Sequence, residues 1–296
     1  MALSSASSRL PPGVKCLTAN NSGPFTHNGT NTYLVGHASL AVIDPGPLDP
    51  AHAGAILAAA NGRPITHILL THAHRDHVDG LARLKELTGA KTYGFGRPHG
   101  RSGPTVPEVA NSPSGGDFVN LDFVPDVRLT HGETIGLPGF ALEAVHAPGH
   151  APDHLCFALQ GSPVLFSGDH VMGWSTSVIA PPEGHMGDFL RSLELLLGRS
   201  ETLYLPGHGG PVEDGPRTAR AYLLHRQMRE TAVLDAIRGG ALTIPAIAAV
   251  VYSGIAPALL NAARLSVQAH VAHLREKRLL TFEMPLTPDR LLALSS

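Results

Sequence analysis

Short apolar runs, most of them closed by glycine or proline, alternate with segments of helical periodicity over roughly the first 215 residues. Short apolar runs bounded by turn-forming residues are typical of buried strands. One further run alternates apolar and polar positions, as a half-exposed strand does. The strands predicted in this way lie in LAVIDPG (Leu40–Gly46), THILLTH (Thr66–His72), FALEAVHAPGH (Phe140–His150), PVLFSGDH (Pro163–His170) and TLYLPGH (Thr202–His208).

Two segments in this region predict helices, and a third has no regular pattern. GLARLKELTG (Gly80–Gly89) carries its leucines along one side, and its last glycine is a typical helix stop. In FLRSLELLL (189–197) the apolar positions again fall at helical spacing, and we expect Asp188 to be the N-cap. The stretch Gly96–Phe118 is rich in glycine, proline and serine, which is compatible with either a surface loop or a flap over a site.

From Tyr222 onward the chain is mainly helical. Helices are predicted over Arg220–Arg238, over TIPAIAAVVYSG with Thr243 as its cap, and over NAARLSVQAHVAHLREKRLL, before the short run LLTFEM. Three helices and a closing strand resemble a winged-helix module. We therefore predict two domains, residues 1–218 and residues 219–296.

The composition narrows the class of protein. Hydrophobic residues make up 43% and charged residues 16% of the 296, and the net charge of −2 does not favour a broad nucleic-acid-binding surface. Two cysteines, Cys16 and Cys156, exclude a disulfide framework and a cysteine-based zinc site. The first residues lack the apolar centre of a secretory signal, and the uncharged stretch Ile244–Leu260 is short and interrupted by prolines. We expect a soluble, cytoplasmic protein with no membrane partner.

Side chains of the metal-ligand type gather where the predicted strands end. THAHRDH directly follows an apolar strand and holds four of them: His72, His74, Asp76 and His77. Three other strand ends supply one each: His150 after APG, Asp169 after SG and His208 after PG. Imidazoles and carboxylates need partners once buried, and a metal would satisfy them. Because strands with ligand-bearing loops at one end are a common way to build a site, we expect all seven to converge.

Seven ligands are enough for two metal ions. His72, His74 and His150 would give one zinc three nitrogens. Asp76, His77 and His208 would serve a second zinc, and Asp169 would bridge the two. Three protein ligands with a place left for water is the arrangement of a catalytic zinc site. We therefore expect two Zn²⁺ per chain, with Fe or Mn as alternatives that the same ligand types accept.

The motifs THAHRDH, APGH, SGD and PGH resemble those of the metallo-β-lactamase-fold hydrolases, as do NGTNTYLVG and VIDPG near the start. The resemblance covers nearly the whole chain and is nearest to the branch called β-lactamase-like protein 2, in which a winged helix follows the core. It implies an α+β fold: a four-layer αββα sandwich (the metallo-β-lactamase fold) with a C-terminal winged-helix-like domain. Asp79 stands where the family often has a second glycine, but that position is not a ligand position.

The resemblance implies a metal-dependent hydrolase, though not one whose main role is antibiotic hydrolysis. True β-lactamases of this fold usually lack the bridging carboxylate that Asp169 supplies here, and their most familiar group has arginine and cysteine in place of His77 and Asp169. We expect a metal-bridging hydroxide to attack an ester, thioester, lactone or related bond of a small-molecule substrate. Asp76, besides being a ligand, is the predicted catalytic proton acceptor.

Several neighbouring side chains are not at ligand positions by this resemblance. Hydrogen bonding around the site or exposure to solvent is expected for His146, His154, His170 and His185. Asp44 would either orient His72 or cap a turn. Arg226, on a predicted helix, is expected to face solvent.

A compact zinc-dependent endoribonuclease, with RNA held by the winged helix, is the main alternative. The last helix is only thinly basic, since Glu276 lies between Arg275 and Lys277, so nucleic acid is less favoured than a small molecule as the partner. A metal sensor with a DNA-binding winged helix and an iron-based redox protein are further alternatives. A homodimer is left open.

Overall fold

The fold was analysed in a computed structural model, which describes residues 10–96, 118–283 and 286–295. Apart from its two end residues, the pattern-free stretch Gly96–Phe118 lies outside the described residues.

Six strands form the first sheet, in the order β1-β2-β3-β4-β5-β6. They are β1 (Val14–Thr18), β2 (Asn31–Val35), β3 (Leu40–Ile43), β4 (Ile65–Leu69), β5 (Lys91–Gly94) and β6 (Val127–Arg128). The pairs from β1 to β3 are antiparallel, and those from β3 to β6 are parallel. Strands β3 and β4 confirm the predictions for LAVIDPG and THILLTH, and β3 is buried at every position, as is typical of a sheet covered on both faces.

Five strands form the second sheet, in the order β11-β10-β9-β8-β7. They are β7 (Thr134–Leu137), β8 (Phe140–His146), β9 (Leu155–Leu159), β10 (Val164–Gly168) and β11 (Leu203–Pro206). All pairs are antiparallel except β10 with β11. The three strands predicted in this half of the chain are β8, β10 and β11.

Seven α-helices accompany the sheets in the described residues. They are α1 (Pro50–Ala60), α2 (Arg75–Val78), α3 (Leu81–Thr88), α4 (Met186–Leu197), α5 (Gly215–Arg238), α6 (Ile244–Val251) and α7 (Leu260–Glu276). None of these helices is both long enough and apolar enough to span a bilayer.

Alternate strand residues face two different cores, which explains the layered arrangement. In β2, Tyr33 packs between the two sheets, while its neighbour Leu34 packs with Ile56 of α1 on the outer face. In β10, Phe166 lies between the sheets, while Leu165 packs with α4 on the other outer face. The structure thus confirms the predicted four-layer αββα sandwich.

The C-terminal part has an apolar core of its own. Val233 of α5, Ile247 of α6 and Val271 of α7 pack together there with Leu280. Leu280 belongs to β12 (Leu280–Thr281), which pairs antiparallel with β13 (Ala293–Leu294). The three helices and the closing strand are those that the sequence predicts for a winged helix.

Two helix starts differ from the sequence prediction. Helix α4 begins at Met186, and its N-cap is His185, whose ring Nδ1 accepts the backbone N–H of Asp188 at 3.1 Å. Asp188 is therefore in the first turn, where its negative charge favours the helix N-terminus. Helix α5 begins at Gly215 rather than Arg220, because the side chain of Asp214 caps it and proline is tolerated in a first turn. The predicted division at residue 218 would fall inside this helix.

Candidate metal centre

Four strands carry the predicted ligand residues to one edge of the sandwich. Residues 72–77 follow β4 of the first sheet, whereas His150, Asp169 and His208 follow β8, β10 and β11 of the second. The strand ends are joined by backbone hydrogen bonds, from Leu155 N–H to the Thr71 carbonyl at 2.7 Å and from Gly207 N–H to the Gly168 carbonyl at 2.8 Å. The first of these bonds joins the two sheets directly beside the cluster, and the second joins β10 and β11 within the second sheet.

All seven predicted side chains lie together. In each of three overlapping groups, one nitrogen or carboxylate oxygen per residue lies within 4.8 Å of the others. The groups are His72 with His74 and His150, His72 with His77 and Asp169, and Asp76 with His77 and His208.

The imidazoles of the first group meet at His74. Its Nδ1 lies 2.9 Å from His72 Nε2 and 3.0 Å from His150 Nε2. These three nitrogens are those assigned to one ion on the basis of the sequence.

Asp169 lies between the two predicted sets of ligands. One carboxylate oxygen, Oδ2, is 3.6 Å from His150 Nε2 and 3.3 Å from His208 Nε2. The other, Oδ1, is 3.5 Å from His77 Nε2. Asp76 Oδ2 lies 3.4 Å from the same His77 nitrogen and 3.3 Å from His208 Nε2. Asp169 is thus in the position from which a carboxylate can bridge two ions.

Two atoms of the cluster, His77 Nε2 and Asp169 Oδ1, are buried and have no hydrogen-bond partner among the residues that the structure describes. Leaving a buried polar atom unpaired is costly, on the order of 1–3 kcal/mol. The two atoms lie 3.5 Å apart, and a cation between them would satisfy both. The donor set, nitrogens and carboxylate oxygens, also suits zinc. The residues present therefore fit a divalent metal.

The protonation states of His72, His74 and Asp169 agree with this fit, whereas His77 and His208 would release a proton on binding metal. Burial alone would lower the pKa of both rings, but the carboxylates of Asp76 and Asp169 outweigh it and raise both pKa values, that of His208 to about 9. Burial lowers the pKa of His72 well below its ordinary value, and it lowers the pKa of His74 to about 3. Both rings are therefore neutral at pH 7, which is the form that binds metal. Burial alone would raise the pKa of Asp169, but the neighbouring His208 and His77 outweigh it and hold this pKa well below the ordinary value.

An outer layer of hydrogen bonds orients these rings. Asp44 Oδ2 accepts hydrogen bonds from His77 Nδ1–H at 2.9 Å and from the Thr71 hydroxyl at 2.8 Å. The Thr71 hydroxyl also lies 2.9 Å from His72 Nδ1. Asp44 therefore contacts His77 directly and reaches His72 only through Thr71, which corrects the first of the two alternatives expected for it, that it orients His72 itself. Partners of this kind fix the ring orientation and leave Nε2 free for a metal.

Two further rings are fixed by backbone carbonyls. His150 Nδ1–H donates to the Val178 carbonyl at 2.7 Å, and His208 Nδ1–H donates to the Gly29 carbonyl at 3.2 Å. The Thr30 hydroxyl donates to Asp76 Oδ2 at 2.9 Å. No local motif signals these contacts, because each joins residues far apart in the sequence.

The loop after Asp169 is held by helix α5. The Ser177 hydroxyl donates to the Asp169 carbonyl, and the Ser177 carbonyl accepts from the guanidinium of Arg226. The Tyr222 hydroxyl donates to the carbonyls of Met172 and Ser175 in the same loop. Arg226 is only 4% exposed, so the expectation that it faces solvent was wrong.

The histidines that flank the motifs have four different environments. His154 Nε2 accepts the backbone N–H of Asp169 at 3.1 Å, so this ring supports the site from outside. His146 Nε2 is 3.0 Å from the Pro152 carbonyl, and its ring stacks on Phe95. His170 is buried, and His185 caps α4.

A cavity of about 310 Å³ opens beside the cluster. His74, Asp76, His150, Asp169 and His208 form its polar floor. Its walls are largely apolar and include Phe25, Phe118, Met172, Val178, Ala262 and Leu265. Ala180 and Glu183, from the segment that precedes α4, also line the cavity. A concave, largely apolar pocket with a few convergent polar groups is typical of a site for a small organic ligand.

Two family models match the chain. The metallo-beta-lactamase superfamily matches over residues 26–208, and the beta-lactamase associated winged helix domain matches over residues 243–283. The second match confirms the winged helix predicted from the sequence.

Relatives and solved structures agree with these matches. The Lactamase-like protein adaB of Aspergillus niger is 31% identical over 259 residues, covering 82% of this chain and 74% of that protein. The Atrochrysone carboxyl ACP thioesterase of Claviceps purpurea is 27% identical over 232 residues, covering 77% of this chain and 66% of that protein. A metallo-beta-lactamase family protein from Thermus thermophilus has a similar structure, with a TM-score of 0.76 and 25% identity, covering 96% of this chain and 99% of the other.

Proposed function

The chain belongs to the metallo-β-lactamase superfamily, and from that premise we propose that it is a dinuclear zinc-dependent hydrolase acting on thioesters. One observation carries the proposal. Seven ligand-type side chains, two of which hold unpaired buried atoms, form a cluster beside a cavity whose walls are largely apolar.

His72, His74 and His150 would hold one ion, and Asp76, His77 and His208 the other, with Asp169 shared between them. Two divalent ions held in this way lower the pKa of a shared water, so that hydroxide is available near neutral pH. The protein's own part is to keep His72 and His74 neutral and Asp76 and Asp169 ionised, and to line the pocket with largely apolar side chains.

Thioesters suit this site better than bonds with poorer leaving groups. Hydrolysis consumes one water and gives a carboxylic acid and a thiol. Because a thiol is a comparatively strong acid, with an ordinary pKa of about 8.5 in cysteine, the sulfur leaves readily as a thiolate and needs little help from an acid. The pKa of Asp76 is held below its ordinary value by His77 and a hydrogen bond from His208, against the effect of burial. Such a carboxylate is a weak acid–base catalyst, which is sufficient for a thioester.

Two relatives bear thioesterase names, the Atrochrysone carboxyl ACP thioesterase of Claviceps purpurea among them. These names support the choice of bond but do not identify the acyl group taken by this chain.

The endoribonuclease alternative has less support from the pocket. Cleavage of RNA requires binding of a phosphate backbone, for which lysine and arginine are the usual partners. Neither residue type occurs among the described residues that line the cavity.

Metal analysis combined with a substrate panel tests the proposal. We expect about two zinc ions per chain and hydrolysis of acetyl- and 2-naphthoyl-thioesters of N-acetylcysteamine in preference to a lactone, a β-lactam or single-stranded RNA. We expect Asp76→Ala to lower kcat/KM by about 100-fold or more, because it removes a proposed metal ligand, which should cost at least as much as losing an outer partner of a ligand. Asp79→Ala is the matched control, because Asp79 pairs with Arg75 outside the cluster.

Two results would overturn the proposal. One is the absence of thioester hydrolysis by fully zinc-loaded protein. The other is an Asp76→Ala variant that is as active as Asp79→Ala. RNA cleavage without thioester turnover would favour the nuclease instead.

A further inference from the structure

One wall of the cavity comes from the C-terminal domain. Ala262 and Leu265 both line it, and both belong to α7, within the region that matches the winged helix. Their spacing of three residues places them on the same face of the helix. Leu265 is only 5% exposed, so its side chain is packed into this wall rather than projecting into solvent. The same cavity is also lined by His74 and Asp76 of the metal centre.

Helix α7 is fixed against both domains, so this wall is not a loose flap. Val267 and Val271 pack in the C-terminal core, whereas Ala269 packs in the core that contains α4. The Ser266 hydroxyl lies 2.9 Å from the Tyr252 hydroxyl. At its C-terminal end, Glu276 Oε1 lies 2.8 Å from Nε2 of the α4 cap His185. A helix held at several points can set the shape of a pocket precisely enough to select ligands.

The same packing leaves little of α7 for nucleic acid. Of the arginines on the helix, only Arg264 is exposed, and Arg275 lies over the Phe282 ring. A nucleic-acid-binding helix normally presents a clustered basic face. The surface of α7 is instead used by two protein cores and the cavity.

We propose that Ala262 and Leu265 determine the size of the acyl group that the enzyme accepts, which makes the winged helix a specificity element of the active site. The substrate class rests on the proposed thioesterase function. Ala262 leaves space where a larger residue would fill the cavity, and Leu265 occupies space that a smaller residue would free. In an apolar pocket, a misfit of one methylene changes kcat/KM by about 10- to 200-fold.

Three variants test the proposal. Ala262→Leu adds three carbons to the wall, Leu265→Ala removes three, and Asn261→Leu is the matched control, since Asn261 is exposed and does not line the cavity. Acetyl- and 2-naphthoyl-thioesters of N-acetylcysteamine serve as the small and the large substrate. We expect Ala262→Leu to lower kcat/KM for the naphthoyl substrate at least about tenfold and to change that for the acetyl substrate less than about threefold. Leu265→Ala should shift the ratio the other way, and Asn261→Leu should leave it unchanged.

A binding measurement separates this proposal from the proposed function. The affinities of the zinc-loaded protein for 2-naphthoate and for acetate are measured by calorimetry in the wild type and all three variants. If the wild type hydrolyses no thioester, the proposed function fails. The role of α7 in limiting ligand size is still supported if Ala262→Leu, and not Asn261→Leu, weakens binding of 2-naphthoate but not of acetate.

The proposal would be overturned if Ala262→Leu left both ligands unaffected. Equal changes for the large and the small ligand, at unchanged zinc content and Tm, would overturn it as well.

Discussion

Replacing Gly207 by alanine should damage the metal centre through a single methyl group. An added Cβ at Gly207 would lie 2.4 Å from Asp169 Oδ1 and 2.7 Å from His77 Cε1. Because real Cβ atoms essentially never approach closer than 3.0 Å, the Asp169 oxygen must move by about 0.6 Å. Metal–ligand distances hold to about 0.2 Å, so this displacement is about three times the tolerance.

The backbone of Asp169 cannot absorb the movement. Its N–H donates to His154, and its carbonyl accepts from Ser177, so the change falls on the carboxylate. Altering an outer partner of a ligand typically weakens metal binding about 10- to 100-fold. Displacing the carboxylate of the ligand itself should therefore weaken binding of zinc by at least about 100-fold, with a similar loss of kcat/KM.

Competition with a chromophoric zinc chelator measures this affinity. Gly210→Ala is the matched control, because Gly210 lies three residues further along the same loop and no atom of the described part of the chain lies within 4 Å of an added Cβ. If Gly207→Ala bound two zinc ions as tightly as Gly210→Ala does, Asp169 would not be confined as described, and the reasoning would be refuted.

Three further changes test other parts of the structure. Asp44→Asn removes the ionised acceptor of the His77 Nδ1–H hydrogen bond and should weaken zinc binding about 10- to 100-fold; unchanged affinity in the chelator assay would contradict this role. The hydrogen bond from Arg199 lowers the pKa of Glu143 below 4.5, so the pair stabilises the folded state above that pH and loses this effect as the pH falls through the lowered pKa. Glu143→Gln should therefore lower the free energy of unfolding by about 0.5–1 kcal/mol at pH 7 and by progressively less below pH about 4.5. Urea titrations at several pH values measure this loss, and a loss that did not vary with pH would argue against the role of the ion pair. Leu274 is 0% exposed in the C-terminal core. Leu274→Ala should therefore lower the free energy of unfolding, measured in urea, by about 2–5 kcal/mol. A loss under about 1 kcal/mol would be inconsistent with a packed core.

Much of the site could be predicted from the sequence because its ligand residues are either close neighbours in the sequence or directly follow a strand. His72, His74, Asp76 and His77 lie within six residues after a strand, and few roles other than metal binding suit such a group. The remaining candidates each follow a strand and a glycine, so their location at one sheet edge follows from the strand pattern. The layered fold was predicted from the resemblance of the motifs to those of the metallo-β-lactamase-fold hydrolases, and the continuous burial of β3 agrees with a sheet covered on both faces.

The features that were missed depend on contacts between distant parts of the chain. Nothing in the local sequence around Asp44 shows that it reaches His77, 33 residues away. Arg226 was expected in solvent because charged side chains are seldom buried, yet a carbonyl of the loop after Asp169 and the ring of Phe189 receive its guanidinium. The start of α4 was misplaced because His185 and Asp188 both have side chains able to accept a backbone N–H, and the sequence alone does not decide between them. The contribution of α7 to the cavity likewise appears only once the two domains are docked.

Both sheets supply metal ligands, and this constrains the order of events in folding. His72 follows a strand of the first sheet and His208 a strand of the second, so the loop of chain between them must close before both can face one centre. Closing long loops is entropically costly, and contacts between distant segments form late. Helices and hairpins can form before the ligands of the two sheets meet. A chain that holds metal with ligands from both sheets has already brought its two halves together. Binding of metal by the complete set of ligands therefore requires a chain whose two halves are already assembled.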